Sequence, residues 1–183
     1  MAYQKLQSRD GLLVIPDTVV RIPDPTSAIA LISTTVDATD GVTSFEVDAS
    51  SGSVLTGTNT KFTEMNIPIG AIIYNPSAAT PECYFVVSVD SDTQITVNKA
   101  VAGGASNAIT IYTRPTIGCT LYAGGAGNLN VRMAEQNGNT TTAAAPANQF
   151  VVFEGVTAGS FLPIQVVQVN STGTTATKII AMW

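Results

Sequence analysis

The sequence predicts an all-β protein. Val, Ile and Thr fill short runs separated by Gly, Asn, Asp, Ser and Pro, and helical periodicity is nearly absent. Several runs also alternate apolar with polar residues, as half-buried strands do.

Strands are expected at 12–15, 43–47, 71–74, 83–89, 94–98, 108–113, 119–123, 128–133, 150–154, 164–169 and 178–183. The run Thr93-Gln94-Ile95-Thr96-Val97-Asn98 sets Ile95 and Val97 on one face and Gln94, Thr96 and Asn98 on the other. In the run from Ile164 to Val169 the alternation slips at Val167, which marks a bulge. Pro16, Pro23, Pro25, Pro68, Pro76, Pro81, Pro115, Pro146 and Pro163 all fall at run edges, where a lost ladder donor costs little. The stretch 137–146 is low in complexity and reads as an exposed hairpin tip or arm.

At 183 residues the chain has room for one medium β-domain or two small ones. Content divides it into three parts, residues 1 to about 35, about 36 to 113, and Pro115 onward. The middle part holds most of the acidic residues, and the part after Pro115 is rich in Gly and Ala. Proline restricts the residue before it, which favours a border near Arg114-Pro115.

Charged residues make up 11% of the chain, against roughly 25% for an average soluble protein. With eight Lys and Arg and a net charge of −5, no phosphate-tracking surface is expected, hence no nucleic acid. No apolar run approaches the roughly 18 residues that span a bilayer, and residues 1–10 lack an apolar signal core. The expectation is a soluble chain, made in the cytoplasm, that enters no secretory route.

Histidine is absent, so a common general base and metal ligand is missing. Cys83 and Cys119 match neither a zinc spacing nor a redox pair and read as buried, reduced residues. Gly124-Gly125-Ala126-Gly127 precedes a strand rather than a helix, so it reads as a tight hairpin or close strand packing and not as a phosphate loop. Asp90 and Asp92 begin like a calcium loop but lack its remaining ligands, which leaves a solvated turn. Glu46, Glu64, Glu82, Glu135 and Glu154 are the carboxylates from which a glycosidase pair would be drawn, and each also fits a strand-edge or loop charge. No Gly-x-Ser-x-Gly elbow occurs. The expectation is a protein without catalytic residues, cofactor or metal. Tyr74, Tyr84, Tyr112 and Tyr122 lie in strand-like runs and read as packing residues rather than a sugar platform.

Three stretches occur in order in the C-terminal part. They are residues 121–131, LYAGGAGNLNV, residues 153–164, FEGVTAGSFLPI, and residues 172–183, TGTTATKIIAMW. They resemble the "LYVGGAGD", "GVPAGTxLPVRV" and "TGTTATxIVALW" motifs of the spike-base proteins of tailed phages and gene transfer agents. Val20-Arg21-Ile22-Pro23-Asp24-Pro25 stands for that family's first strand. Carried onto this sequence, the assembly motif residues are Tyr122, Gly124, Gly125, Gly127, Gly155, Gly159, Pro163, Thr172, Gly173, Thr174, Thr175 and Trp183. The resemblance implies a non-enzymatic virion protein on the capsid surface, decorating or cementing it or forming the base of a head spike. Its implied partners are the major capsid protein, copies of itself and a spike or fibre protein.

The middle part departs from that small family, which runs from its first strand almost directly to the Gly-rich motif, so the resemblance implies a small β-sandwich or barrel base, residues 1–36 and 114–183, with an inserted small β-domain, residues 37–113. Residues 52–63, 69–73 and 86–97 resemble a β-module found in phage tail, fibre and decoration proteins. That implies the alternative of a tail, baseplate or fibre-associated position. A host-glycan-binding or polysaccharide-cleaving module is the third reading, resting on exposed tyrosines in an all-β chain.

Overall fold

The computed structural model describes residues 11–29, 46–49, 52–58, 60–76, 81–101, 107–134 and 149–183. Every regular element longer than one 3-10 turn, Pro25–Ser27, is a strand. The strands are β1 Gly11–Leu13, β2 Glu46–Ala49, β3 Val54–Thr58, β4 Ile72–Asn75, β5 Glu82–Ser91, β6 Gln94–Val97 and β7 Asn107–Ala108. They continue with β8 Thr110–Tyr112, β9 Cys119–Ala123, β10 Gly127–Met133, β11 Val151–Val156, β12 Ser160–Val169 and β13 Ile179–Met182. The chain is all-β, with two antiparallel sheets in two compact units: residues up to Pro25 with Thr116–Trp183, and Thr26–Pro115 between them in sequence. The first border lies at Pro25 rather than near 36, because residues 27–29 pair with the second unit's last strand. Ile29 N–H donates to Ile111 O, Thr113 N–H donates to Ser27 O, and Ala28 bridges Tyr112.

In the second unit the strand order is β7-β2-β3-β6-β5-β4-β8. Its two edges, β7 and β8, are one stretch of chain interrupted only by Ile109. The sheet therefore closes on itself, and closure removes the free edges that an open sheet exposes. Inside lie Leu55, Phe62, Ile73, Tyr84, Val86, Ile95, Val97 and Ile111 in one cluster. Ile95 and Val97 point inward and Gln94 is exposed, as their alternation requires. β3 was not expected as a strand. Its Gly57 weakens the strand signal, yet a Cβ there would sit 2.9 Å from the ring of the fully buried Phe62, so the glycine makes room for the core.

The first unit has the order β1-β13-β9-β12-β10-β11. β9 and β10 both run antiparallel to β12, and only Gly124, Gly125 and Ala126 join them. Ala123 lies opposite Ser160, whereas the far end of β12 pairs with β10 through Val169. Val131 is the residue opposite Val169, and Gly127 lies four residues farther out, so in a flat sheet Gly127 would be more than ~30 Å from Ala123, whereas three intervening residues reach only ~14 Å. The sheet must curl. It bends at β12, whose register slips against β9 between Leu162 and Val166 and against β10 where Val167 is passed over. Val167 is thus the extra residue of a bulge. Pro163 lies inside β12 at the other slip rather than at a strand edge, a place where its missing N–H leaves the ladder intact. Leu121, Leu129, Val131, Val166, Val169 and Ala181 fill the enclosed core.

Strand β9 spans the expected residues, β6 begins and β10 and β12 end where expected, and the remaining strand ends differ from the sequence expectation by one to a few residues. The low-complexity stretch 137–146 lies outside the described residues, as does most of the expected strand 43–47. Cys83 and Cys119 are free and buried. Cys119 Sγ donates to Val166 O at 3.2 Å, and burial pushes its thiol pKa up to about 12. Neither thiol should react with a disulfide reagent at neutral pH while the chain is folded, and two should react in denaturant. A thiol that titrates rapidly in the native protein contradicts this placement.

Candidate assembly face

Most of the motif residues converge on one corner of the first unit, and the glycines explain why it holds. Gly124 N–H donates to Lys178 O and Gly125 N–H to Thr177 O, so the run Gly124–Gly127 packs against the strand-like approach to β13. Of the two sequence readings, close strand packing is realised and the tight hairpin is not, because β9 and β10 are not neighbours in the sheet. Gly127 has φ +148°, and a Cβ on it would lie 2.5 Å from Thr175 C and 2.8 Å from Ala176 Cα.

Thr174 and Thr175 act as latches. The hydroxyl of Thr175 accepts from Asn128 N–H at 2.8 Å, and that of Thr174 accepts from Asn130 N–H at 3.0 Å. Asn130 Nδ2 donates to Thr172 O, and Gly173 turns the chain beside Asn130 with φ +83°. Gly155 N–H donates to Asn128 Oδ1, tying β11 to the same corner. Gly159, with φ +84°, closes the turn into β12, and its N–H donates to Ala123 O. Trp183 stands apart from the corner, packed against the core with Nε1 donating to Thr116 Oγ1 at 2.9 Å. Most motif residues thus shape backbone and present no reactive group. Tyr122 and Pro163 face outward.

Tyr122 belongs to a row that only the strand register reveals. Leu13 pairs with Ile180, Ile180 with Tyr122, and Tyr122 with Phe161, so the four side chains stand abreast on one face of four strands. Leu13 and Phe161 are each 45% exposed. One step along the same face, Gly11, Met182 and Thr120 form a second uncharged row. The intervening positions Ala181, Leu121 and Leu162 point into the core, so apolar residues occupy both faces here.

The face of β10 and the C-terminal half of β12 differs. Arg132 and Gln168 stand opposite one another, each 1% exposed, and Gln168 Nε2 donates to Asp17 O. Asp17 N–H donates to Val169 O and Ile22 N–H to Val167 O, so the chain after β1 covers this part of the sheet. Burial lowers the pKa of Arg132; burial and then the neighbouring Arg132 charge lower that of Arg21.

The remaining chemical candidates lie apart. Asp90 accepts from the hydroxyls of Ser88 and Thr96, which lower its pKa, and Asp92 Oδ1 accepts from Thr63 N–H and Oγ1. They sit about the β5–β6 turn, as their spacing implies. Glu64 pairs with Lys61 at 2.8 Å, Glu82 accepts from the hydroxyl of Tyr84, and Glu154 is exposed on β11. Glu135 lies outside the described residues. Among the described residues no three His, Cys, Asp or Glu side chains are placed to hold a metal, and no helix is long and apolar enough to cross a membrane. Tyr74, Tyr84 and Tyr112 are buried, with Tyr74 and Tyr112 edge to face at 6.4 Å, so among the described tyrosines Tyr122, partly exposed, is the one left to a glycan platform.

In comparisons with known proteins no family model matches the chain, and neither curated proteins nor solved structures give a match. Of the residues in these two rows, Leu13, Ile180, Phe161 and Met182 were not singled out in the sequence. The signal present was the unbroken apolar run Ile179–Met182, which a strand buried on one face alone would not need.

Proposed function

We propose that this chain is a non-enzymatic structural protein of a tailed-phage virion that decorates or cements the capsid surface or forms the base of a head spike. The observation that carries the reading is the uncharged apolar row Leu13, Ile180, Tyr122 and Phe161. It lies on the unit whose glycine corner holds the three ordered motifs. A coat protein must bury much of its surface against neighbours, and cores of such interfaces are depleted in charge. The major capsid protein is the partner proposed for this face, copies of the chain itself are the second, and a spike or fibre protein is a third. The resemblance of residues 52–97 to a tail-associated module favours a tail or baseplate position as the second reading.

Attachment then depends on apolar burial, with ion pairs a minor contribution, since the chain holds only eight basic and thirteen acidic side chains. Particles washed in about 1 M salt, where the screening length falls to roughly 3 Å, should keep the protein. Tyr122→Lys with Phe161→Glu should weaken incorporation by at least about tenfold while leaving the fold intact, because both side chains project outward. Cryo-electron microscopy of particles checks both the place and the copy number. Copies in proportion to capsid subunits mean general decoration, a small multiple of the vertices means a spike base, and a small multiple of the tail symmetry means the tail. Release by salt alone, or full incorporation of the double variant, would sink the apolar attachment.

A further inference from the structure

We propose that Lys178 orients the partner on the assembly face: its ammonium meets a carboxylate of the protein surface that covers Leu13, Ile180, Tyr122 and Phe161. The inference rests on the coat-protein reading and names the chemistry that its partner presents. Lys178 immediately precedes β13, two residues before Ile180, and its carbonyl accepts from Gly124 N–H. A Cβ on Gly124 would lie 3.0 Å from Lys178 Cβ and 3.7 Å from Tyr122 Cε1. The lysine stem therefore starts beside the Tyr122 ring, on the outer face of the sheet, and the bare Gly124 leaves it that room. On the other side of the row Gly11, Met182 and Thr120 carry no charge, so the two flanks differ.

Two further observations single out this residue. Its backbone has φ +52°, a conformation that side chains with a Cβ rarely adopt. A glycine would sit there without strain, so the fold does not itself require a lysine, and backbone strain of this kind points to a use for the side chain. The ammonium is also available. Among the described residues of the first unit the basic ones are Arg21, Arg132 and Lys178; Arg132 is buried, Arg21 is partly buried, and Lys178 is exposed with no described carboxylate paired to it. A lysine stem packs along apolar surface while its head stays at the edge, which places the charge on the rim of a covered patch. A protein surface answers an ammonium with Asp or Glu. Rim pairs set encounter rate and register more than affinity, so this contact agrees with attachment by apolar burial.

The test is competition between wild-type and variant chains for incorporation into particles, read by mass spectrometry, with first-unit stability read from Trp183 fluorescence in denaturant. Lys178→Arg should incorporate within about twofold of the wild type, Lys178→Met, which keeps the stem, should fall about three- to fivefold, and Lys178→Glu at least about tenfold. None of the three should lower the denaturation midpoint. Lys178→Gly should unfold at the wild-type midpoint or above it, yet incorporate no better than Lys178→Met. Binding of the purified chain to particles assembled without it should slow between about 0.05 and 0.5 M salt for the wild type and not for Lys178→Met. Methionine or glutamate variants that incorporate like the wild type, an equal salt response in the wild type and Lys178→Met, or losses that follow a lowered midpoint overturn the proposal. If the wild type incorporates in those cases, the coat-protein reading stands and the lysine contact alone fails. A wild type absent from every particle overturns that reading and this contact with it.

Discussion

Gly127→Ala should destabilise the first unit by roughly 4 kcal/mol or more, a size reached by few single substitutions. Two penalties combine at this position. Its φ of +148° is a conformation that side chains with a Cβ rarely adopt. The added carbon would also meet the backbone of Thr175 and Ala176 at 2.5–2.8 Å. That backbone cannot move aside, because Thr175 N–H and Ala176 N–H both donate to Asn128 O, and the Thr175 hydroxyl accepts from Asn128 N–H. Neighbouring glycines give the ranking its test. At Gly125 the nearest atom is the hydroxyl of Thr177, a side chain that can rotate, so alanine there should cost less. At Gly159 nothing lies within 4 Å, and only the φ of +84° opposes alanine, at roughly 1–2 kcal/mol. Trp183 is the chain's one tryptophan and packs in the first unit's core, so its fluorescence during denaturant unfolding reports this unit alone. Equal costs at positions 127 and 159 would show that the corner is not packed this tightly.

The parts of this fold that were legible in the sequence are those set by local pattern. The alternation over Gln94–Val97 fixes which face is buried, and Cys119–Ala123 reads as a strand to the residue. The slip at Val167 is also local, because a bulge shifts the inward-outward order of one strand. Pairing is another matter. Nothing near Gly124–Gly127 shows that β12 lies between the two strands it joins, since that depends on segments some forty residues away, as the Ser160–Ala123 pair illustrates. The first-unit border was displaced for the same reason: Ile29 and Ile111 are bonded across the whole second unit. The outer row was hidden entirely, because Leu13, Ile180, Tyr122 and Phe161 come from four strands and become neighbours only through three registers. The motif residues, by contrast, stand out in sequence because glycine and threonine at fixed spacing shape a backbone, and shaping a backbone is what most of them do.

Removing residues 178–183 should unfold the first unit and abolish incorporation into particles, and the cause is the position of β13 rather than the loss of any single contact. β13 is not an edge. It lies between β1 and β9, so its removal takes from β1 its one strand partner among the described residues and exposes one side of β9. Ile179 and Ala181 leave the core, and Gly124 N–H loses its acceptor on Lys178. Burial of a large aliphatic contributes about 1.5–3 kcal/mol, truncation of a packed tryptophan costs about 3–5, and each ladder bond adds about 0.5–1.5. Together these approach the roughly 5–15 kcal/mol that holds a domain folded. The second unit has its own closed sheet and core, so limited proteolysis of the truncated chain should leave a resistant fragment covering about residues 26–115. Trp183→Ala separates the strand from its terminal anchor: it loses the packing and the bond to Thr116 but keeps β13, and it should weaken the first unit by about 3 kcal/mol without unfolding it. A truncated chain whose first unit resists proteolysis would show that β13 is dispensable to the fold. Its exclusion from particles would then have to come from contacts made by the last strand itself, with Ile180 and Met182 of the outer face as the residues to examine.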